Sequence, residues 1–321
     1  MSDIGQARTV HVDQHLSNVA INYKMSGFIA DQIAPIVSVD KQTNTFIEWT
    51  QADIFRREDT KRSPLTEAKR ISWSVSSQSY LCQNYALKTG ISLEARSNMD
   101  AAFARQWEEG AVMRVTDALL LDWETRVASL AENTGNVGSN FNVHSAWTSS
   151  GALPVNDLHT AIDNVRYSTG YTPNTILFGS RPWDYFRRHW QTKSILNNPN
   201  MLLGGQQVTQ DAVARYFGVD KVLVGLAMNN TAAKGQSLVV APVWGDHVTV
   251  YFAPPVPSMQ LPSWMYSFRW TVPGLPNLQV ERLPYDAKIK GQDSEVGYYQ
   301  DERVTASRLA FQLRFTGSAQ A

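Results

Sequence analysis

With 321 residues, 43% hydrophobic and 18% charged, the chain can bury one large or two medium cores, and disordered or collagen-like classes drop out. Lys plus Arg and Asp plus Glu both number 29, so no overall positive field draws it to nucleic acid or to an anionic membrane. The single cysteine, Cys82, cannot form an internal disulfide, and no secretory pattern follows Met1. No apolar run approaches the ~18 residues of a bilayer span, and together these read as a water-soluble protein kept in a reducing cytoplasm.

Residues 1 to about 40 read as an extended arm with one short helix, because Gly27 and Pro35 interrupt anything longer. Met1 at its head argues that no N-terminal propeptide has been trimmed. From Thr45 come "TFIEWT", a charged tip "IFRREDTKRSPL", and "RISWSVSSQSYLCQNYALKT", in which Ile71, Trp73 and Val75 alternate with serines. This predicts a long two-stranded finger. An isolated hairpin is marginal in water and leaves its ladder edges open, so the finger needs a partner surface.

Asp100 to Asn133 reads as one helix of roughly 50 Å, longer than the ~30 Å across a small domain. Asp100 is placed to cap it, and Gly135 with Gly138 to end it. Val112, Val115, Leu119, Trp123, Val127 and Leu130 make one apolar stripe. Phe103, Trp107, Gly110 and Leu121 lie on the opposite side. Arg105, Arg114, Asp117, Asp122, Glu124 and Arg126 fall between, with Asp122 and Arg126 at i, i+4 spacing. Either the helix is buried in an ordinary core, or it packs one side on its own domain and another on neighbouring subunits.

Beyond a Gly/Asn/Ser loop the text alternates between helix and strand from about Leu153 to Ala253. "PVNDLHTAIDNVRYSTG" is a helix closed by Gly170, "PNTILFG" a buried strand, "SRPWDYFRRHW" and "TQDAVARYFG" helices, and "KVLVG", "SLVVAPV" and "HVTVYFA" strands. Eight of the 14 prolines lie between Pro242 and Pro284, so "APPVPSMQLPSW" tracks the surface as a connection. The end returns to strands: "SFRWTV", "NLQVERL" and "RLAFQLRFTG".

Residues that could carry chemistry are few. His11 and His15 stand four apart, as two ligands on a helix would, but no third ligand accompanies them, and surface histidines are the better reading. Cys82 reads as a small buried hydrophobe rather than a nucleophile. "LLGGQQ" has adjacent glycines without the Lys of a phosphate loop. "FRREDTKR" carries both charge signs, which suits a complementary protein surface better than nucleic acid. In "YFRRHW" the aromatics Trp183, Phe186 and Trp190 form one apolar face with Arg187 outside it. No catalytic, cofactor or metal site is assigned, and no enzyme activity is expected. Ten tryptophans without a catalytic constellation suit assembly contacts.

The order of these parts resembles the major capsid proteins of tailed bacteriophages, the Hong Kong 97 fold, an α+β architecture. "YALKTGISLEARSNMDAAFARQWEEGAVMRVTDALLLDWE" looks like the finger's returning strand entering the spine helix. "TPNTILFGSRPWDYFRRH" is similar to a strand-then-helix of the family's axial domain, and "DAKIKGQDSEVGYYQDERVTA" resembles its closing peripheral strands. The resemblance implies an N-terminal arm at 1–40, an E-loop at 41–88, and a peripheral domain with the spine helix at 89–152. An axial domain follows at 153–253, and 254–321 return to peripheral strands.

It further implies a structural protein assembling as hexamers and pentamers into an icosahedral shell around double-stranded DNA, bound without sequence specificity. The expected setting is the virion, with assembly in the host cytoplasm and no membrane. Further expected partners are a portal, a scaffolding protein separate from this chain, and a decoration protein. Expected assembly-interface residues are Phe55, Arg56, Arg57, Glu58, Asp59, Lys61 and Arg62 at the E-loop tip, and the spine-helix residues singled out are Trp107, Arg114, Trp123 and Arg126. Lys61 and Lys69 carry no motif for covalent crosslinks. The alternatives are an encapsulin-like nanocompartment shell and, from another class, an α/β enzyme.

Overall fold

The structure, a computed structural model, describes residues 11–12, 16–17, 20, 27–48, 60–62, 67, 70, 76–143, 147–196, 208–271, 278–288 and 290–315. A short strand β1 (His11–Val12) is followed by α1 (Ala30–Ile33) and β2 (Ile36–Val39), with Pro35 between them. His11 is therefore on a strand, and His15 lies outside the described residues. β3 (Thr43–Glu48) and β4 (Ser76–Leu81) pair antiparallel from Thr43↔Leu81 to Glu48↔Ser76, forming the base of a hairpin. Ile71, Trp73 and Val75 lie outside the described residues.

Cys82 alone separates β4 from β5 (Gln83–Ser92). It is fully buried, its thiol donates to the Phe268 carbonyl, and burial pushes its pKa up to about 11, which leaves an inert packing group. The Ser92 side chain caps α2 (Leu93–Ser97) by accepting from the Ala95 amide. Then comes the 32-residue helix α3 (Ala101–Glu132). Asp100 holds its N-cap position in extended backbone without a side-chain cap bond. The helix stops at Asn133, whose side chain accepts from Gly135 N in the turn that follows.

β6 (Ser139–Val143) leads into α4 (Pro154–Thr169), which ends at left-handed Gly170, then β7 (Thr175–Gly179), α5 (Ser180–Arg188) and α6 (Trp190–Leu196). The expected single helix over "SRPWDYFRRHW" breaks at His189. Trp183 and Phe186 enter the core, whereas Trp190 stays half-exposed and donates its Nε1 to the Ser150 carbonyl. The remaining elements are α7 (Gln210–Phe217), β8 (Lys221–Gly225), β9 (Met228–Asn230), β10 (Val240–Pro242) and β11 (His247–Tyr251). β12 (Met265–Trp270), β13 (Gln279–Arg282), β14 (Gly291–Val304) and β15 (Ala310–Phe315) complete the order.

Two main sheets result. One runs β6-β15-β11-β7-β8, with α4, α5, α6 and α7 packed on one face and α1 with the C-terminal half of α3 on the other. Burial on both faces explains why β7 and β11 have no exposed position. Along β7, Ile176 and Phe178 join the core on one side, and Leu177 the core on the other. The second sheet runs β1-β13-β14-β12-β2, with β5 also paired to β14, and the stretch of α3 from Val112 to Leu119 packs on it against Val280, Val296 and Tyr298. The length of α3 thus serves two cores in succession.

Within the stretch 254–321, β12, β13 and β14 form the second sheet, and β15 joins the first, beside β11 and parallel β6. Phe311, Leu313 and Phe315 fill the helix-covered core, and buried Gln312 on the reverse face donates its Nε2 to the Ala131 carbonyl of α3. In "SLVVAPV" only Val240–Pro242 pairs, and it does so with β9 in a separate two-stranded sheet. Leu238, at 71%, stays exposed with Val239 and Val240.

Inside the first sheet, His247 is buried opposite Arg314 of β15, and burial, reinforced by that guanidinium, pushes its pKa down to about 4. A histidine depressed in the folded state contributes stability above its unfolded value, and that stability is lost as pH falls through the folded one. Relative to His247→Gln, the wild type should lose up to about 3 kcal/mol between roughly pH 6.5 and pH 4. Urea unfolding of both proteins across that window is the check, and parallel curves would refute the assignment.

Candidate functional site

The two halves of α3 differ in what they leave exposed. In the C-terminal half Trp123 and Val127 are buried, and Arg126 is held between its own helix and β14. Its guanidinium pairs with Asp122 one turn earlier and with both oxygens of Glu302, at 3.0 and 3.1 Å. It also donates to the Tyr298 hydroxyl and stacks over the Tyr85 ring at 3.7 Å. Burial works against the charged form, but the Glu302 carboxylate outweighs it and holds the Arg126 pKa above its ordinary value. Arg269 lies between the Trp123 and Tyr298 rings, and Gln300 Oε1 accepts from it. Trp123 and Arg126, both named on the spine helix, hold the subunit's own parts together.

The N-terminal half packs one side on the second sheet through Val112 and leaves the other facing outward. Phe103 is 52% and Trp107 50% exposed, with exposed Gly110 and Arg114 continuing the same face. Such a row of large apolar groups in water is an uncompensated cost unless something covers it. Alongside runs β5, paired over its whole length with β14 on one edge. Among the described residues no strand pairs its other edge. Between strand and helix lies an open groove of about 730 Å³ whose lining includes Leu87, Gly90, Phe103, Trp107, Gly110 and Arg114. Lys88 on its rim is tied to Asp293 at 3.0 Å. Below, Glu108 accepts from Arg282 at 2.7 Å, and Arg96 approaches it at 3.7 Å.

Of the expected tip residues, Lys61 and Arg62 are exposed. Phe55, Arg56, Arg57, Glu58 and Asp59 lie outside the described residues. Sequence reasoning missed Leu87 and Gly90 as groove wall, and it missed the exposed β9–β10 hairpin with Met228 and Val240. The signal for that hairpin was present: "TAAKGQS" between two short apolar runs is turn text. Among the described residues no group of three or more His, Cys, Asp or Glu is placed to hold a metal. None of their helices is long and apolar enough to cross a membrane. What the site offers is apolar area, a strand edge unpaired among the described residues and fixed charge.

No family model matches the chain. It is 26% identical over 248 residues to the major capsid protein of Burkholderia phage BcepMu, covering 76% of each chain. To the major capsid protein of Pseudomonas phage JBD67 it is 23% identical over 247 residues, 75% of this chain and 77% of the relative. Among solved structures, a phage-related protein from Bordetella bronchiseptica superposes with a TM-score of 0.75 at 19% identity, over 98% of this chain and all (100%) of that one. The capsid of cyanophage P-SCSP1u gives 0.55 at 13% identity, over 92% of both chains. The SrpI encapsulin of Synechococcus elongatus gives 0.54 at 12%, over 100% of this chain and 93% of that one. The fold, a long helix serving two sheets, is thus the one these solved structures share, and by sequence the chain is similar to phage major capsid proteins.

Proposed function

We propose that copies of this chain, in the structural capsid role its homologues bear, assemble as hexamers and pentamers into a closed icosahedral shell around double-stranded DNA. The observation that carries this reading is the split character of α3, whose large apolar groups are buried along its C-terminal half at Trp123 and Val127 and bare along its N-terminal half at Phe103 and Trp107. A subunit that finishes burying its apolar surface only against copies of itself has this pattern. Interfaces of ~1,600 Å² each, repeated around every subunit, stabilise a shell cumulatively even where single contacts are weak. Equal numbers of acidic and basic residues, 29 of each, suit a wall that does not grip the packaged genome. The virion is the setting, with assembly in the host cytoplasm and with a portal, a scaffolding protein and a decoration protein as partners. The arm at 1–40, the E-loop at 41–88, the axial unit at 153–253 and the peripheral remainder are the working division of the subunit.

Size-exclusion chromatography and electron microscopy of the purified chain across a range of salt test the reading. Closed particles support it, and a persistent monomer under every condition refutes it. Replacing Arg56, Arg57, Lys61 and Arg62 together by alanine should slow assembly at least tenfold while leaving the subunit's unfolding within about 0.5 kcal/mol of wild type. Unchanged assembly kinetics by light scattering would remove the tip from the interface. An encapsulin-like compartment is the second reading, favoured by the encapsulin neighbour, whose TM-score of 0.54 is close to the cyanophage value. The sequence relatives point to the capsid. Neighbouring terminase and portal genes, as against a gene for a cargo enzyme, separate the two.

A further inference from the structure

We infer that Asp301 ends the ladder between β5 and β14, sets the direction in which the β3–β4 hairpin leaves the second sheet, and so acts as a positioning residue for shell assembly. The assembly role rests on the shell reading; the clamp on the hairpin root does not.

β5 follows β14 from Ser92↔Gly291 to Gln83↔Gln300. Bonded pairs in an antiparallel ladder recur at every second residue, and Leu93, whose amide donates to the Lys290 carbonyl at 2.8 Å, belongs to the same series as Gln83 and Leu81. Leu81 is therefore the next residue whose amide would donate to a β14 carbonyl. Instead Asp301 Oδ2 accepts that amide, at 2.9 Å. The same oxygen accepts from Arg303 Nε at 2.8 Å, which compensates the carboxylate's charge. A side chain thus replaces the main-chain acceptor at the point where the strand turns away. Beyond it, Asp301–Val304 of β14 pair with β12 on one edge and, among the described residues, with no strand on the other.

The strand that turns away lies against rings. Phe268, opposite Asp301 on β12, stacks on Tyr80 at 4.7 Å and meets Phe46 at 5.1 Å. On the incoming side Trp270 Nε1 donates to the Asp40 carbonyl at 3.1 Å. These contacts hold the hairpin root on the sheet, but apolar burial is non-directional, whereas a charge-assisted bond to a backbone amide fixes both distance and angle. The Cys82 amide donates to the Gln42 carbonyl at 2.9 Å and so points toward β3. By alternation the amides of Ser77, Ser79 and Leu81 point away from β3, and of these three only that of Leu81 has a partner among the described residues. One bond therefore sets the angle of the root. A root held at one angle lowers the ordering cost of any contact the hairpin makes with a neighbouring copy.

The test uses the full-length chain spin-labelled at Thr45→Cys on β3 and Tyr167→Cys on α4, both exposed, with native Cys82 buried and silent, diluted in an excess of unlabelled chain. Pulsed electron spin resonance should give one narrow distance distribution. Asp301→Ala should broaden or shift it, and Asp301→Asn, which keeps an oxygen to accept the Leu81 amide, should restore it. A distribution that Asp301→Ala leaves unmoved overturns the clamp, as does one that Asp301→Asn moves just as far. With its urea midpoint unchanged, Asp301→Ala should also slow particle formation, followed by light scattering, about tenfold. Particles forming at the wild-type rate from a variant whose label distances have moved overturn the assembly role while the shell reading stands. A wild type that never forms particles removes the shell reading itself, and the label distances still decide the clamp. Should the alanine variant fail to fold, amide-resolved hydrogen exchange on the unlabelled wild type decides. The Leu81 amide should exchange about tenfold more slowly than that of Ser79, and equal rates refute the clamp.

Discussion

Trp123→Ala should destabilise the subunit by about 3 to 5 kcal/mol. The ring is 6% exposed and packs in the core shared by α1, the C-terminal half of α3 and the reverse face of the first sheet, among Val127, Trp264 and Leu309. Removing it opens a cavity at the junction of three elements that are already pinned by other contacts, so little collapse can offset the loss. Its Nε1 finds no acceptor among the described residues. Trp123→Phe, which deletes that orphan donor and keeps most of the apolar area, should therefore cost far less than the alanine change. Urea unfolding of the three proteins gives the ordering directly, and coincident curves for wild type and the alanine variant would expel Trp123 from the core.

Glu124→Ala should cost a similar amount, about 3 to 5 kcal/mol, for a different reason. The carboxylate is fully buried one residue along from Trp123. It accepts from the Ile29 amide at 3.0 Å, the Ala30 amide at 2.8 Å and Trp244 Nε1 at 2.7 Å. These bonds clamp the start of α1 and the loop before β11 onto the long helix. They depend on Gly225 as well, because any Cβ there would stand 2.2 Å from the Trp244 ring. Alanine strands three buried donors together, whereas Glu124→Gln keeps one oxygen to accept and should lose much less.

Burial pushes the Glu124 pKa above the usual carboxylate range, and the three donors pull it back only in part. For a raised folded pKa the stabilising contribution is complete below the unfolded value and is lost as pH rises through the folded one. Acidifying from neutral toward the usual carboxylate range should therefore stabilise wild type relative to Glu124→Gln, opposite in sign to the His247 effect. Thermal melts of the pair at two pH values settle it, and a difference that does not move with pH counts against a buried charge here.

The sequence was legible wherever one element meets one environment. The continuous apolar run in "TILFG", the Gly170 stop after "DNVRYST" and the proline-rich connection each state a local preference that the fold keeps. The i, i+4 pair of Asp122 and Arg126 could be read from spacing, and it forms. Glu124 could not be told from its charged neighbours, because nothing in a helical repeat reveals which carboxylate will face the end of another helix 94 residues away in sequence.

Residue order and type alone therefore determined that one helix would outrun a single core, that a hairpin would precede it, and that apolar groups would be present on more than one of its sides. Only the tertiary structure decided which of those groups are spent inside the subunit and which remain bare. It put Trp123 and Arg126 inside, left Trp107 and Arg114 outside, and sent β15 to the first sheet while β14 anchors the second. The physical reason is that periodicity encodes the direction of a side chain relative to its own element. Burial depends on which other elements arrive on that side, and strand pairing between segments distant in sequence sets that arrival.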